Sequence, residues 1–313
     1  MRETSVAANG AMFAAAVLFG GSVVATRVAV QDVPPLSLAV LRYGIGGLVL
    51  GLCLLFGARG LLRVQWQDLP FLALLGTLLF AVFPLAFNFG LRLTEASRGS
   101  LMLATVPVWS AVLARVAGRE ELTGRQIIGL GLSLLGVAVA VAERNLRWNG
   151  DIHALAGDGL LLLAALCGAT YAVLVKRAYT RYTALTVTAY GMVIGTLLLL
   201  PAALREGLPS AVTRLNGRTL ALVLFLGVLG GALGWYLTAF ALTRLTPTQA
   251  AVYINLNPLT AMILAAALLN EQITATLVVG FAVVVAGVVL MNWPTRVRAA
   301  RADPIRIAVP HEL

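Results

Sequence analysis

The sequence repeats itself at a fixed distance, and this duplication limits the folds that are open to the chain. Five residues recur with numbers that differ by 151 in every pair: Pro107 and Pro258, Glu120 and Glu271, Thr123 and Thr274, Gly129 and Gly280, Gly136 and Gly287. One such match could arise by chance, but five in one register indicate an internal duplication. The fold is therefore expected to contain two similar halves.

Each half is dominated by apolar runs of about 20 residues, the length that a helix needs to cross the hydrocarbon core of a bilayer. The chain of 313 residues is 60% hydrophobic and 12% charged, and its mean hydropathy is +0.92. A soluble domain of this size cannot bury so much apolar surface. The runs predict ten transmembrane helices, at residues 7–30, 36–56, 69–91, 96–117, 123–142, 159–178, 185–204, 219–242, 248–269 and 274–293.

These runs predict an all-α polytopic membrane protein whose ten transmembrane helices form two inverted five-helix repeats around a central cavity. A five-helix unit crosses the membrane an odd number of times, so its copy must run in the opposite direction. The predicted units are residues 1–142 for the first repeat, 143–158 for a polar connector, 159–293 for the second repeat and 294–313 for a cytoplasmic tail.

The distribution of basic residues predicts the orientation. With the N-terminus in the cytoplasm, about fourteen Lys and Arg lie at inner helix ends and about seven at outer ends, a bias that is typical of a bacterial inner-membrane protein. Both termini are therefore expected in the cytoplasm. The net charge is +10, but the arginines lie between apolar runs and in the tail, as in membrane proteins whose orientation is set by charge. Nucleic-acid binding is therefore not expected.

A polar helix face in residues 246–271 is the best candidate for a functional surface. Gln249, Tyr253 and Asn257 are four residues apart, which places them on one side of a helix. Such a face at membrane depth either lines a cavity or forms hydrogen bonds between helices. The regular spacing, with a similar face in the first repeat, favours the cavity. Eight residues are predicted to bind substrate: Phe83, Phe87, Thr105, Trp109, Tyr236, Gln249, Tyr253 and Asn257.

Four further residues are predicted to form a gate or to carry a charge: Arg42, Tyr43, Pro107 and Pro258. Proline removes a backbone hydrogen bond, so Pro107 and Pro258 are expected to interrupt helices at matching depths. Arg42 lies inside the start of the second helix, where an arginine must extend to the surface or find a partner. Glu120 and Glu271 lie at helix ends and are expected to act as caps or interface anchors.

Residues that would support other functions are sparse in the apolar runs. His153 and His311 fall in the connector and the tail, Cys53 and Cys167 lie inside apolar runs, and Asp158 is the deepest acid. No metal site, cofactor or catalytic centre is predicted, so the protein is not expected to be an enzyme. A proton relay through buried carboxylates is disfavoured as well. The expected partners are a small-molecule substrate and the lipid bilayer, and the sequence is compatible with a monomer or a homodimer.

Several stretches resemble the EamA-type drug/metabolite transporters of bacteria. They are LFGGSVVATRVAV and PPLSLAVLRYGIGGLVL near the start, and GREELTGRQIIGLGLSLLGV and NEQITATLVVGFAVVVAGVVL, which close the two repeats. The resemblance covers residues 10–292 and extends to the aromatic amino-acid exporters of that family. It implies ten helices around a central cavity and export of neutral or aromatic amino acids and related metabolites by alternating access. Nucleoside-like metabolites or amphiphilic drugs are the alternative substrates, and an intramembrane enzyme, a channel or a sensor is the alternative outside transport.

Overall fold

The computed structural model of the protein describes residues 2–57, 60, 63–117, 123–147, 152–242, 244–245, 253 and 256–292. Over these residues the regular structure is helical, without β-strands. The α-helices are α1 (Arg2–Asp32), α2 (Pro35–Gly57), α3 (Leu69–Thr77), α4 (Phe83–Leu93), α5 (Ala96–Leu103), α6 (Val106–Val116), α7 (Gly124–Arg147), α8 (Ile152–Ala178), α9 (Ala184–Glu206), α10 (Leu208–Thr213), α11 (Gly217–Leu224), α12 (Gly234–Leu242), α13 (Leu256–Leu269) and α14 (Ala275–Asn292). Two π-helical segments, π1 (Leu78–Val82) and π2 (Phe225–Leu233), join α3 to α4 and α11 to α12.

Several of these helices are long and apolar enough to cross a membrane. Within the described ranges there are seven such stretches: Val6–Asp32, Pro35–Gly57, Trp66–Leu93, Ala96–Val116, Ile152–Ala178, Ala184–Glu206 and Gly217–Leu242. Shorter apolar helices accompany them at Gly124–Ala140, Leu256–Leu269 and Ala275–Met291. The predicted all-helical polytopic membrane protein is confirmed at this level, whereas the count of ten crossings stays a prediction.

The segment predicted as a polar connector, 143–158, is helical at both of its ends. α7 continues to Arg147 and α8 begins at Ile152, because residues 143–147 contain neither Pro nor Gly and polar side chains alone do not end a helix. Asp158 therefore lies about two turns inside α8. It is 2% exposed and accepts a hydrogen bond of 3.1 Å from the Thr94 hydroxyl.

The first of the two predicted proline interruptions lies at the start of a helix. α5 ends at Leu103, and α6 begins at Val106 with Pro107 in its first turn. Amides in the first turn have no acceptor within their helix, so proline loses no hydrogen bond there. Pro258 is buried within α13, and residues 254–255 lie outside the described residues. An interruption at Pro258 therefore stays a prediction.

Helices α7 and α14 pack antiparallel along their glycines. A Cβ atom added at Gly129 would lie 2.6 Å from the carbonyl oxygen of Gly287, and one added at Gly136 would lie 2.5 Å from that of Gly280. Gly129 thus contacts the repeat equivalent of Gly136, and Gly136 contacts the equivalent of Gly129. Contacts that exchange in this way are expected when a two-fold axis relates two similar halves.

Other helix contacts follow the same exchange. The Ser133 hydroxyl donates a 3.2 Å hydrogen bond to the carbonyl of Val284, which is its own equivalent 151 residues later. α2 packs against α9, α1 packs against α12 and α13, and α8 packs against α4 and α6. The largest buried apolar cluster includes residues of α1, α5, α8 and α13. The core therefore lies between the two halves of the sequence.

Candidate functional site

A cavity of about 710 Å³ opens at the end of the bundle where α1 finishes, α5 and α11 begin, and α13 connects to α14. We call it the polar cavity. It is lined by Arg27, Val28, Gln31, Asp32, Glu95, Arg98, Arg218, Leu269, Asn270, Glu271, Gln272, Thr274 and Leu277. Its volume lies in the range of cavities that bind small molecules.

Both signs of charge line the polar cavity. Arg98 is only 7% exposed, donates a 2.8 Å hydrogen bond to the Ala140 carbonyl and lies 3.6 Å from the Glu95 carboxylate. Arg27 donates a 2.9 Å hydrogen bond to the Leu91 carbonyl. Because opposite charges attract strongly where water is partly excluded, a wall with both signs suits a ligand that carries both an ammonium and a carboxylate.

Glu271 joins the two halves of the chain at the edge of the polar cavity. Asn270 ends α13 in the left-handed conformation, with φ of 52°, and the Glu271 amide turns back to the Ala265 carbonyl at 3.3 Å. The carboxylate of Glu271 then accepts hydrogen bonds from the amides of Ala96 (2.9 Å) and Ser97 (3.0 Å) at the start of α5. The prediction that Glu271 is a helix cap is confirmed, whereas Glu120 lies outside the described residues.

Glu271→Ala is expected to lower the stability of the purified protein by roughly 1–3 kcal/mol, because two first-turn amides lose a charged acceptor. The measurement is the thermal unfolding midpoint in detergent. Gln272→Ala is the matched control, since the neighbouring Gln272 is exposed and also lines the polar cavity. Equal unfolding midpoints for Glu271→Ala and the wild type would contradict the capping role.

The opposite end of the bundle is held by an ion pair. Arg181 lies 3.1 Å from both carboxylate oxygens of Asp68, and the Tyr182 hydroxyl donates a 2.6 Å hydrogen bond to the same carboxylate. These contacts tie the start of α3 to the loop between α8 and α9. The cavity beside them measures only about 20 Å³. Among the described residues, the cavity at this end is much smaller than the polar cavity.

Four aromatic rings form a chain across the middle of the bundle. The ring centroids are 5.6 Å apart for Phe19 and Trp235, 6.2 Å for Trp235 and Phe80, and 5.2 Å for Phe80 and Tyr43, all edge to face. Phe19 and Phe80 each lie about 13 residues from the cavity end of their helices, which at 1.5 Å per residue is roughly 20 Å. The chain of rings therefore lies near the middle of a membrane span.

Trp109 and Asn257 lie at the same depth, about 12 or 13 residues from the helix ends at Ala96 and Leu269. Both carry a buried polar atom, Nε1 of Trp109 and Oδ1 of Asn257, for which the described residues provide no hydrogen-bond partner. Buried polar groups are nearly always paired, so these two atoms are candidates for contact with a ligand. We call the set formed by Phe19, Phe80, Trp109, Trp235 and Asn257 the mid-span layer.

Arg42 lies between the polar cavity and the mid-span layer in depth, about 7 residues into α2. It is half-buried, and its Nη1 donates a 3.2 Å hydrogen bond to the Thr26 hydroxyl. Its guanidinium carbon lies 5.2 Å from the ring centroid of Tyr43, which is itself 5% exposed. Arg42 Nε has no hydrogen-bond partner within the described part of the chain. This arginine is thus held inside the bundle with a free donor.

Phe83, Phe87 and Thr105, also predicted to bind substrate, lie in the first repeat, and Phe83 also contacts the second. A Cβ atom added at Gly168 of α8 would lie 3.7 Å from the Phe83 ring. The rings of Phe83 and Phe87 are stacked, with centroids 5.5 Å apart and planes 19° apart. The Thr105 hydroxyl donates a 2.6 Å hydrogen bond to the Met102 carbonyl and is fully buried. The hydroxyl proton of Thr105 is therefore already bonded to the backbone of the preceding helical turn.

The predicted residues of the second repeat separate into different environments. The Tyr253 hydroxyl donates a 2.9 Å hydrogen bond to Asn9 Oδ1, so it ties this segment to α1. Tyr236 is 48% exposed, and its neighbour Trp235 is the residue that enters the aromatic chain. Gln249 lies outside the described residues. The structure thus brings Asn257 into the layer and leaves the roles of the other three as predictions.

Three residues of the mid-span layer were not selected from the sequence: Phe19, Phe80 and Trp235. Phe80 and Trp235 belong to the aromatic clusters of the third and eighth predicted helices. The helical period of 3.6 residues alone does not show which aromatic residue of a cluster faces the other repeat. A usable signal is the glycine opposite each ring. Gly195 lies against Phe80 and Gly234 against Phe19, and small residues mark positions where a large side chain crosses to another helix.

Comparison with known proteins identifies the family. A model of the EamA-like transporter family matches residues 7–142 and, a second time, residues 155–293. This chain belongs to the EamA-like transporter family. One curated relative, an uncharacterized transporter of Archaeoglobus fulgidus, is 32% identical over 278 residues, which cover 87% of this chain and 93% of the relative. A probable terminal-alkyne amino-acid exporter of Streptantibioticus cattleyicolor is 31% identical over 281 residues, covering 86% and 91%.

A solved crystal structure shares the fold of this chain. It aligns with this chain at a TM-score of 0.62 and 21% sequence identity, over 90% of this chain and 94% of the other. At that identity the likeness shows the fold alone. The family and its named relatives make this chain a multi-span membrane transporter for a small molecule.

Proposed function

We propose that this EamA-family transporter exports neutral or aromatic amino acids and related small metabolites across the bacterial inner membrane. It does so by alternating access through the space between two inverted five-helix repeats, residues 1–142 and 159–293. Residues 143–158 connect the repeats, residues 294–313 form a tail, and both termini are cytoplasmic. The polar cavity then opens to the outer side, and the Asp68–Arg181 ion pair faces the cytoplasm.

The inverted arrangement is supported by two independent observations. The family model matches the chain twice, at residues 7–142 and 155–293, as a duplication requires. The contacts between Gly129 and Gly287 and between Gly136 and Gly280 exchange equivalent residues across an antiparallel helix pair. Inverted repeats place substrate sites at the repeat interface near the middle of the bilayer, which is the depth of the mid-span layer.

The observation that carries the proposal concerns three of the buried side-chain atoms for which the described chain provides no hydrogen-bond partner: Arg42 Nε, Trp109 Nε1 and Asn257 Oδ1. All three residues were predicted from the sequence to bind substrate or to carry a charge. Two donors and an acceptor beside aromatic rings match an amino acid, whose carboxylate needs donors and whose ammonium needs an acceptor. The relative named as a probable terminal-alkyne amino-acid exporter supports the same substrate class.

Counterflow in liposomes tests this proposal. Protein in liposomes preloaded with an unlabelled amino acid should accumulate the same labelled amino acid transiently, at equal pH on both sides. The panel should contain phenylalanine, leucine, a terminal-alkyne amino acid, a nucleoside and an amphiphilic drug. Accumulation of the nucleoside or the drug alone would favour the alternative substrates, and a strict need for a proton gradient would implicate the buried Asp158.

A further inference from the structure

Two π-helical segments occupy matching places in the two repeats. π1 spans Leu78–Val82, and the same positions 151 residues later, 229–233, form the second half of π2 (Phe225–Leu233). π-helices make up well under 1% of residues in proteins, and where they occur they frequently mark functional sites. Their recurrence at one place in both repeats therefore makes this position a candidate functional site in each repeat.

The two segments meet through a pair of aromatic rings. Phe80 lies within π1, and Trp235 lies two residues after the end of π2. Their ring centroids are 6.2 Å apart at an interplanar angle of 61°. Phe80 belongs to the first half of the sequence and Trp235 to the second. The pair therefore joins the two halves at mid-span, roughly 20 Å below the polar cavity end.

The two rings are held differently. A Cβ atom added at Gly191 would lie 2.7 Å from the Phe80 ring, and one added at Gly195 would lie 2.5 Å from Phe80 Cβ, so the ring is wedged against α9. Phe80 is 1% exposed, whereas Trp235 is half-buried. Phe80 is thus the fixed partner, and Trp235 is the partner that can withdraw.

A π-helical segment also supplies a way for Trp235 to withdraw. Its hydrogen bonds span one residue more than those of an α-helix, so conversion to α-helix shifts the register by one residue. In an α-helix one residue corresponds to a rise of 1.5 Å and a rotation of about 100°. A change of this size in π2 would turn Trp235 away from Phe80 without unfolding the helix.

We propose that Phe80 and Trp235 form the mid-span barrier of the transport path, and that Trp235 is a specificity-determining residue that sets the size of the solute that passes. This inference rests on the proposed function, since a barrier needs a path. It goes beyond that function because it names the pair of residues that separates the two sides of the membrane.

The test uses liposomes that contain full-length wild type, Trp235→Ala, Trp235→Phe or Leu233→Ala. Passive efflux of labelled mannitol and glycine is measured with no exchange substrate outside, and phenylalanine counterflow is measured in parallel. Trp235→Ala should raise mannitol efflux about tenfold or more, because loss of a bulky apolar constriction opens a pore to water. Trp235→Phe keeps a ring and should stay close to wild type. Leu233→Ala is the matched control, since Leu233 lies two residues from Trp235 and is 38% exposed.

Tight liposomes with Trp235→Ala, or equal leaks with Trp235→Ala and Leu233→Ala, would overturn the barrier. If Trp235→Ala does not accumulate as folded protein, Phe80→Leu gives the same test from the other side of the ring contact and should leak likewise. Wild-type counterflow without a leak in either variant contradicts the barrier alone. A leak in Trp235→Ala without amino-acid counterflow in the wild type supports the barrier and contradicts the proposed substrate.

Discussion

Gly136→Val is expected to leave little folded protein in the membrane. A Cβ atom at this position would lie 2.5 Å from the carbonyl oxygen of Gly280 and 2.9 Å from the amide nitrogen of Val284. Both are backbone atoms, which cannot turn aside as a flexible side chain can. Overpacking by a few methyl groups costs about 1–3 kcal/mol in a core that can adjust, and a contact between two backbones should cost at least the upper end of that range. Against a total stability of roughly 5–15 kcal/mol this is a large fraction.

The measurement is the yield of monodisperse protein in detergent and its thermal unfolding midpoint. Gly131→Val is the matched control, since Gly131 is on the same helix and a Cβ atom added there would have no neighbour within 4 Å. It should behave like wild type or better, because valine favours a helix more than glycine does. Gly287→Val, at the repeat equivalent of Gly136, should cost about as much as Gly136→Val, since a Cβ atom added there would lie 2.5 Å from the carbonyl oxygen of Gly129. Equal behaviour of Gly131→Val and Gly136→Val would contradict the close packing of α7 and α14.

Asn257→Ala is expected to lower the affinity for the transported amino acid about five- to a hundredfold, with unchanged abundance in the membrane. The side-chain oxygen of Asn257 is buried without a partner in the described chain, so its removal should cost the free protein little. If the substrate ammonium pairs with that oxygen, its loss removes roughly 1–3 kcal/mol of binding free energy. Trp109→Phe keeps a ring, removes only the indole N–H and should act in the same direction.

The matched control is Leu259→Ala, because Leu259 is two residues from Asn257 on the same helix and 37% exposed. Affinity is read from the concentration dependence of counterflow at equal protein per liposome. Tyr253→Phe should have a smaller effect than Asn257→Ala, since the Tyr253 hydroxyl is already bonded to Asn9. Wild-type affinity in Asn257→Ala would show that the unpaired oxygen does not contact substrate.

Features set by long apolar runs or by exact spacing were predictable from the sequence. The length and the hydropathy of a membrane span are properties of one helix by itself. A helical membrane protein could therefore be predicted from the composition and the lengths of the apolar runs. The glycines that recur at 151 residues proved to be the contact points of α7 and α14. Glu271 follows the last turn of its predicted helix, and its carboxylate accepts hydrogen bonds from the first amides of α5.

Features that depend on how helices are wound or where their ends meet were not predictable. A π-helical segment shifts the faces of a helix by one residue, so a period of 3.6 could not decide between Trp235 and Tyr236. Arg27 and Arg98 could be interpreted from sequence only as a pair of helix-end charges. Their convergence on one cavity with Glu271 depends on contacts between distant segments. Thr105 is polar and well placed, yet its hydroxyl is taken by the backbone.

Alternating access requires that a layer between the two repeats is exposed to each side of the membrane in turn. Two-sided labelling of a single cysteine at position 257 tests this exposure. The background is the protein with Cys53 and Cys167 replaced by serine, and the label is a membrane-impermeant maleimide applied to right-side-out and to inside-out vesicles. Asn257→Cys should be labelled from both sides, and a saturating concentration of a transported amino acid should slow the labelling from each side. Labelling from one side only, or labelling that no amino acid slows, would contradict alternating access.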